Sequence, residues 1–280
     1  MKRFLQGVTM FFLVAIAGQA LAQGPAATNE MKMLHGKALA TQAGSQCFTS
    51  GANITFLKVC ITPNGNVSWF ESPAGYVHLT GREGYAVCTQ ESGNVVHHGF
   101  DVNIASDGWG PATITQKNGP GTLPMTITRQ TDDGAVQLRQ TFSFNPAERG
   151  IDLTMNLKNT SGYPMPDVTL TRYFDADISG MSINEFRQTD DASVLAWVYN
   201  GSRELGMILT SAPDPTIYSL TSVIRWSDWN PWGAGAQTAR GCDNSTNIGG
   251  GTGDSVGQMN SEMTLAAGQS RNITLHYRRF

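Results

Sequence analysis

The chain has 280 residues, with 19 Lys and Arg against 22 Asp and Glu, for a formal net charge of −3. Charged residues make up 15% and hydrophobic ones 40%, against roughly 25% charged in an average globular chain. That balance excludes a nucleic-acid reader driven by a general basic field and a charge-rich disordered chain. The 31 glycines, with many Thr, Ser and Asn, fit a secreted β-rich protein.

Residues 1–22 read as a signal peptide. Lys2 and Arg3 form a positive start, residues 10–17 an apolar core, and Ala20-Leu21-Ala22 a small-x-small cleavage site. The apolar run is much shorter than the roughly 20 residues of a membrane span. Cleavage is expected after Ala22, giving a secreted or periplasmic protein with no transmembrane anchor in its mature part. The mature part has no Lys/Arg cluster that would favour anionic lipid.

Residues 23–46 form a polar leader, partly helical or flexible. Its best helical stretch, 30–41, is weakened by Gly36. From residue 47 onward the apolar pattern has a period of two. The run 53–62 meets Pro63-Asn64-Gly65-Asn66 and then 67–71, and Asn-Gly between such runs is the strongest short-range hairpin signal. The runs 125–130 and 136–144 flank the turn Thr131-Asp132-Asp133-Gly134, and 151–157 and 168–174 flank Asn159-Thr160-Ser161-Gly162. Further strands are expected at 193–199, 205–210, 261–265 and 272–277.

Each run places apolar side chains on one face and Thr, Gln, Arg or Ser on the other, as in antiparallel sheets packed on one side. Neither βαβ alternation nor a repeat of 20–50 residues is visible, which disfavours parallel sheets and solenoids. The expected fold is all-β: one large antiparallel sandwich of many short strands over 47–280.

Four cysteines, Cys47, Cys60, Cys88 and Cys242, lie beyond the signal. An even number in an exported chain points to two disulfides with three possible pairings. Cys47–Cys60 is favoured because turn-prone residues 49–53 separate the two. Cys88–Cys242 would then tie an early strand to a late glycine-rich loop. Zinc is the competing reading, but no C-x-x-C or Cys/His spacing supports it.

Four features carry chemical interest. In Arg172-Tyr173-Phe174-Asp175-Ala176-Asp177, followed by Asn184 and Glu185, strand geometry sets Asp175 and Asp177 on one face and Arg172 on the other. Two carboxylates about 7 Å apart along a strand suit calcium with backbone carbonyls. They equally suit acid/base chemistry on a sugar or hydrogen bonds to loop amides. Together with Asn159-Thr160-Ser161 and Pro164 upstream and Phe186 downstream, this segment resembles a loosely defined group of bacterial secreted β-rich proteins. The resemblance implies export and a sandwich and carries no activity.

The second feature is Trp226-Ser227-Asp228-Trp229-Asn230-Pro231-Trp232, which holds three of the six tryptophans. Rigid indoles beside hydrogen-bonding side chains suit sugar rings, a protein interface or a structural plug. The third is the glycine-rich stretch 241–255, with Asp243, Asn244 and Asp254. It matches neither an EF-hand nor a phosphate loop and reads as a loop held at Cys242. The fourth is histidine: His97 and His98 point to opposite faces of a strand, and His35, His78 and His276 have no ligand spacing. There is no H-E-x-x-H and no G-x-S-x-G. The sequons at Asn53, Asn66 and Asn272 read as ordinary β-protein composition.

The functional expectation is an exported, non-catalytic binding or structural module for polysaccharide or a cell-surface protein. Its ligand residues would be Trp226, Asp228, Trp229 and Trp232, with calcium the candidate ion at Asp175, Asp177 and Glu185. The alternative is a carbohydrate-active enzyme using Asp175, Asp177 or Glu185.

Overall fold

The computed structural model describes residues 44–80, 82–90, 96–102, 105–176, 178, 184–190, 193–200, 203–225, 250–253 and 255–279, some by backbone alone. Strands dominate. In chain order they are β1 (Gln46–Ser50), β2 (Leu57–Ile61), β3 (Val67–Glu71), β4 (Val77–Thr80), β5 (Arg82–Gln90), β6 (Val96–Val102) and β7 (Ala105–Asp107). Next come β8 (Thr113–Gln116), β9 (Met125–Gln130), β10 (Val136–Asn145), β11 (Gly150–Asn159), β12 (Met165–Asp175) and β13 (Asn184–Asp190). The last are β14 (Ser193–Asn200), β15 (Arg203–Ser211), β16 (Tyr218–Arg225), β17 (Gly250–Gly253), β18 (Ser255–Leu265) and β19 (Ser270–Arg279). No helix among the described residues is long and apolar enough to cross a membrane.

These strands make three antiparallel sheets. Nine strands run in the order β17-β13-β14-β15-β19-β11-β10-β9-β8, six in the order β16-β18-β12-β5-β6-β7, and four in the order β1-β2-β3-β4. The expected all-β sandwich is therefore present. Alternation drives it: on β10, Val136, Leu138 and Phe142 are buried, while Gln137, Arg139 and Thr141 face outward. The strands β9, β11 and β19 share this phase, and their inward residues join one apolar cluster with Val87, Val168 and Leu170 of the six-stranded sheet. Phe48, Val59, Ile61 and Phe70 of the four-stranded sheet belong to the same cluster.

The hairpin at Asn64-Gly65 forms as expected, joining β2 and β3. Cys47 and Cys60 face each other across β1 and β2 and are disulfide-bonded. Cys88 on β5 is also disulfide-bonded; Cys242, its expected partner, lies outside the described residues.

The sequence placed Cys88 and His97-His98 on strands without giving their bounds, because Gly84 and Gly99 interrupt the apolar pattern of β5 and β6. Close packing accounts for Gly84. A Cβ there would sit 2.0 Å from the Asp101 carbonyl oxygen and 2.5 Å from the Tyr173 hydroxyl, so only glycine lets that ring lie across β5.

Candidate functional site

Two polar regions lie on opposite faces of the nine-stranded sheet. The first is inside the sandwich. Arg172, Tyr85 and Asp101 stand side by side on β12, β5 and β6, and Glu83 lies one pleat from Tyr85 on the same inward face. Facing them from the nine-stranded sheet are Arg129, Gln140 and Tyr277, in phase with the buried Ile127, Leu138 and Leu275. These residues correct the simple division of each strand into an apolar and a polar face.

Every charge in this interior has partners. The Arg172 guanidinium donates to both Glu83 oxygens, to Gln140 Oε1 (2.6 Å), to the Tyr277 hydroxyl (2.8 Å) and to the Gly65 carbonyl (3.0 Å). Glu83 also accepts from the Tyr277 hydroxyl and from the Val67 amide (2.6 Å). Beside it, Arg129 donates to Asp101, to the Tyr85 hydroxyl (3.1 Å) and to the carbonyls of Gly110 and Trp109. Asn64 and Asn66 donate to the two Asp101 oxygens.

The Asn64-Gly65 hairpin thus acts as a plug between the two larger sheets. Gly65 has φ +93, and a Cβ there would lie 2.3 Å from Gln140 Nε2. Both the backbone conformation and the space require glycine at this point.

Burial governs the titration of this cluster. It pushes Glu83 up to about 7, against the opposing pull of Arg172, Tyr277 and the Val67 amide. Burial also raises the Tyr85, Tyr173 and Tyr277 hydroxyls, keeping them neutral donors. The charge of Glu83 holds Arg172 above its ordinary value despite burial. With Arg172 at 1% and Glu83 at 0% exposure, the centre of this network is closed to solvent and ties the three sheets together.

A smaller polar contact lies near the β9–β10 turn. His97 Nδ1 lies 2.6 Å from Asp133 in the β9–β10 turn. Burial raises the Asp133 carboxyl, but hydrogen bonds from Thr131, the Ala135 amide and His97 outweigh it and hold the group below the usual carboxylate range.

The second region is the outer face of the nine-stranded sheet. Thr115, Thr126, Thr141, Thr154 and Thr274 stand in one register row across β8, β9, β10, β11 and β19. Thr126 and Thr141 hydrogen-bond at 3.0 Å. A parallel row holds Thr113, Thr128, Arg139, Asn156 and Asn272, with Asn156 donating to Asn272 at 2.7 Å.

On the other side of the threonines runs Ser143, Asp152, His276, Thr210 and Ser193. There Asp152 accepts from Asn145 at 2.9 Å and lies 2.6 Å from His276 Nδ1. Thr115 is exposed and the other four threonines of the central row are half-buried.

Of the acidic and tryptophan residues expected from sequence, only Asp175 has a described side chain. Asp175 ends β12 and is 5% exposed, on the face of the six-stranded sheet that turns away from the nine-stranded one. Asp177, the Glu185 side chain and the segment Trp226, Asp228, Trp229 and Trp232 lie outside the described residues, as does most of 241–255. No group of three or more potential metal ligands occurs among the described residues.

Apart from Thr113 and Thr115 on β8, which was not expected, the outward Thr, Asn, Asp and His residues were visible as polar phases of predicted strands. What the linear pattern lacked was the cross-strand register that aligns them. The inward polar residues had a signal too: Arg129, Gln140 and Arg172 each interrupt an apolar phase.

No family model and no curated protein matches this chain. Among solved structures it is similar to a bacterial glucoamylase complexed with acarbose, at 12% identity and a TM-score of 0.51. That match covers 85% of this chain and 32% of the glucoamylase, so this chain spans about a third of that protein's length. A putative aldose 1-epimerase from Escherichia coli K12 matches at 11% identity and a TM-score of 0.44, over 85% of this chain and 99% of that one. At such identities the glucoamylase likeness establishes the sandwich fold alone.

Proposed function

We propose that this protein is an exported, non-catalytic module that binds carbohydrate on the outer face of its nine-stranded sheet. The observation that carries the reading is the register of Thr115, Thr126, Thr141, Thr154 and Thr274, flanked by rows rich in Asn, Ser, Asp and His. Across β8, β9, β10, β11 and β19 this array of hydroxyl and amide groups holds no apolar residue in its outward rows, which matches the hydrogen-bonding surface of a sugar polymer. It matches poorly the apolar centre of a stable protein interface. The fold likeness to a glucoamylase solved with acarbose is consistent with this reading.

Export follows from the signal-like residues 1–22, and N-terminal sequencing of the protein from the periplasm or medium should begin at Gln23. Binding is tested by native electrophoresis through gels containing soluble polysaccharides, with release of reducing ends measured in parallel. Retardation without release supports the module. Release that disappears in Asp175→Asn would favour the alternative enzyme at Asp175, Asp177 or Glu185.

Calcium stands as the proposed ion for the same three carboxylates. It should raise the melting temperature by binding the folded state, and melts in excess EDTA and in millimolar calcium that overlay would remove it.

A further inference from the structure

The surface carries an inference that rests on the carbohydrate reading and deepens it. We propose that the ligand is a single extended chain of a neutral polysaccharide, lying along the threonine row and therefore across the strands.

Spacing gives the direction. Neighbouring strands are about 4.8 Å apart, so five strands set threonine hydroxyls at that interval over about 19 Å. One pyranose unit of an extended glycan advances by a comparable length, so successive units can meet successive strands. Along a strand the same-face interval is roughly 6.7 Å, and the side chains one pleat away from the threonines differ from strand to strand: Thr113, Thr128, Arg139, Asn156 and Asn272. Only across the strands is the chemistry repeated.

Charge gives the class. The central row is uncharged, Asp152 lies against His276 and Arg278 against Glu148, and the cations Arg139 and Lys158 stand in two further, different rows. Cations spread over separate rows do not build the clustered field that captures a polyanion.

Twist gives the form. Adjacent strands rotate by roughly 20–25°, so the row turns through about 80–100° in four steps. A flat crystalline surface meets only part of such a row, whereas one flexible chain can follow it. The flanking Asn156–Asn272 and Asp152–His276 pairs border the path on either side, where ring substituents of a bound chain would reach.

The test is affinity electrophoresis of the full mature protein. The probes are hydroxyethylcellulose, soluble starch and galactomannan, with polygalacturonate as the acidic arm and microcrystalline cellulose pull-down as the flat arm. The key variant is Thr141→Val with Thr154→Val, which keeps shape and strand preference and removes two hydroxyls.

At least one neutral polymer should retard the wild type. The double variant should bind it about 25-fold more weakly, at roughly fivefold per hydrogen bond lost, with a melting temperature within about 2 °C of the wild type.

The proposal is overturned if the double variant is retarded like the wild type, or if only polygalacturonate or only microcrystalline cellulose binds. It is also overturned if Trp229→Ala alone abolishes retardation, since the tryptophan segment would then be the contact. Failure of every carbohydrate to bind would instead remove the underlying reading together with this one.

Discussion

The two faces of the nine-stranded sheet are built from the same strands and obey opposite rules. On β10, Gln140 points inward and Thr141 outward, one residue apart. Inside, bulk solvent is excluded, and an unmatched polar group costs about 1–3 kcal/mol. Accordingly Gln140 and Tyr277 bond to Arg172, and Arg129 bonds to Asp101. Outside, the threonines have one mutual bond between Thr126 and Thr141, and water or a ligand can serve the rest. Polar residues inside specify a fixed arrangement, while the same chemistry outside leaves capacity for recognition.

This contrast can be broken most severely from within. Arg172→Met leaves Glu83 buried without its counter-charge and should cost about 3–5 kcal/mol at pH 8, read as a fall in the urea midpoint. Below about pH 6 the cost should shrink, because Glu83 can then take a proton. Replacing both partners, Arg172→Met with Glu83→Leu, should cost less than the single change, since it removes the stranded charge. A double variant less stable than Arg172→Met would contradict this account. Gly65→Ala should cost about 3 kcal/mol or more through its positive φ and the clash with Gln140.

Loss of the Cys47–Cys60 disulfide comes next. Cys60→Ala with Cys47→Ala opens a short loop and should cost roughly 2–3 kcal/mol, with the larger sheets still folded because the other core contacts persist. Identical unfolding curves with and without reductant would oppose this.

The pH dependence is smaller and has a definite sign. Glu83 titrates at about 7 in the folded protein against 4.5 when unfolded, so the folded state holds the extra proton between those values. Its contribution is fully present below pH 4.5 and is lost as pH rises toward 7, by at most about 1.4 kcal/mol per pH unit. Wild type should therefore lose stability relative to Glu83→Gln over that range, and a constant difference would rule this out. Asp133 acts in the opposite sense. Its lowered carboxyl contributes above pH 3.8, and that contribution is lost as pH falls through the folded value below it.

The smallest effect belongs to the outer face. Thr126→Val removes one cross-strand hydroxyl pair and should change stability by less than about 1 kcal/mol. A larger loss would mean that the threonine row is structural.

Much of the fold was legible. The runs read at 125–130, 136–144 and 151–157 became β9, β10 and β11 with nearly the same ends, because an alternating period and turn residues at Asn64-Gly65 and Asp133-Gly134 are local signals. Strands β5 and β6 were read at Cys88 and at His97-His98 without their bounds, because Gly84 and that polar pair mask an alternation that only their neighbours explain. Of the candidate sites, the acidic segment was legible as composition; β12 ends at Asp175, and Asp177 lies outside the described residues.

By itself, the sequence determined the class of structure, the hairpins and the Cys47–Cys60 bridge, since each depends on residues close along the chain. Tertiary structure alone decided that Arg172 meets Glu83, 89 residues away, and that five threonines from β8, β9, β10, β11 and β19 share a row. Strand order and register set those meetings, through packing among segments distant in the chain. Alternation tells each residue which way to face, and only the sheet tells it whom it faces.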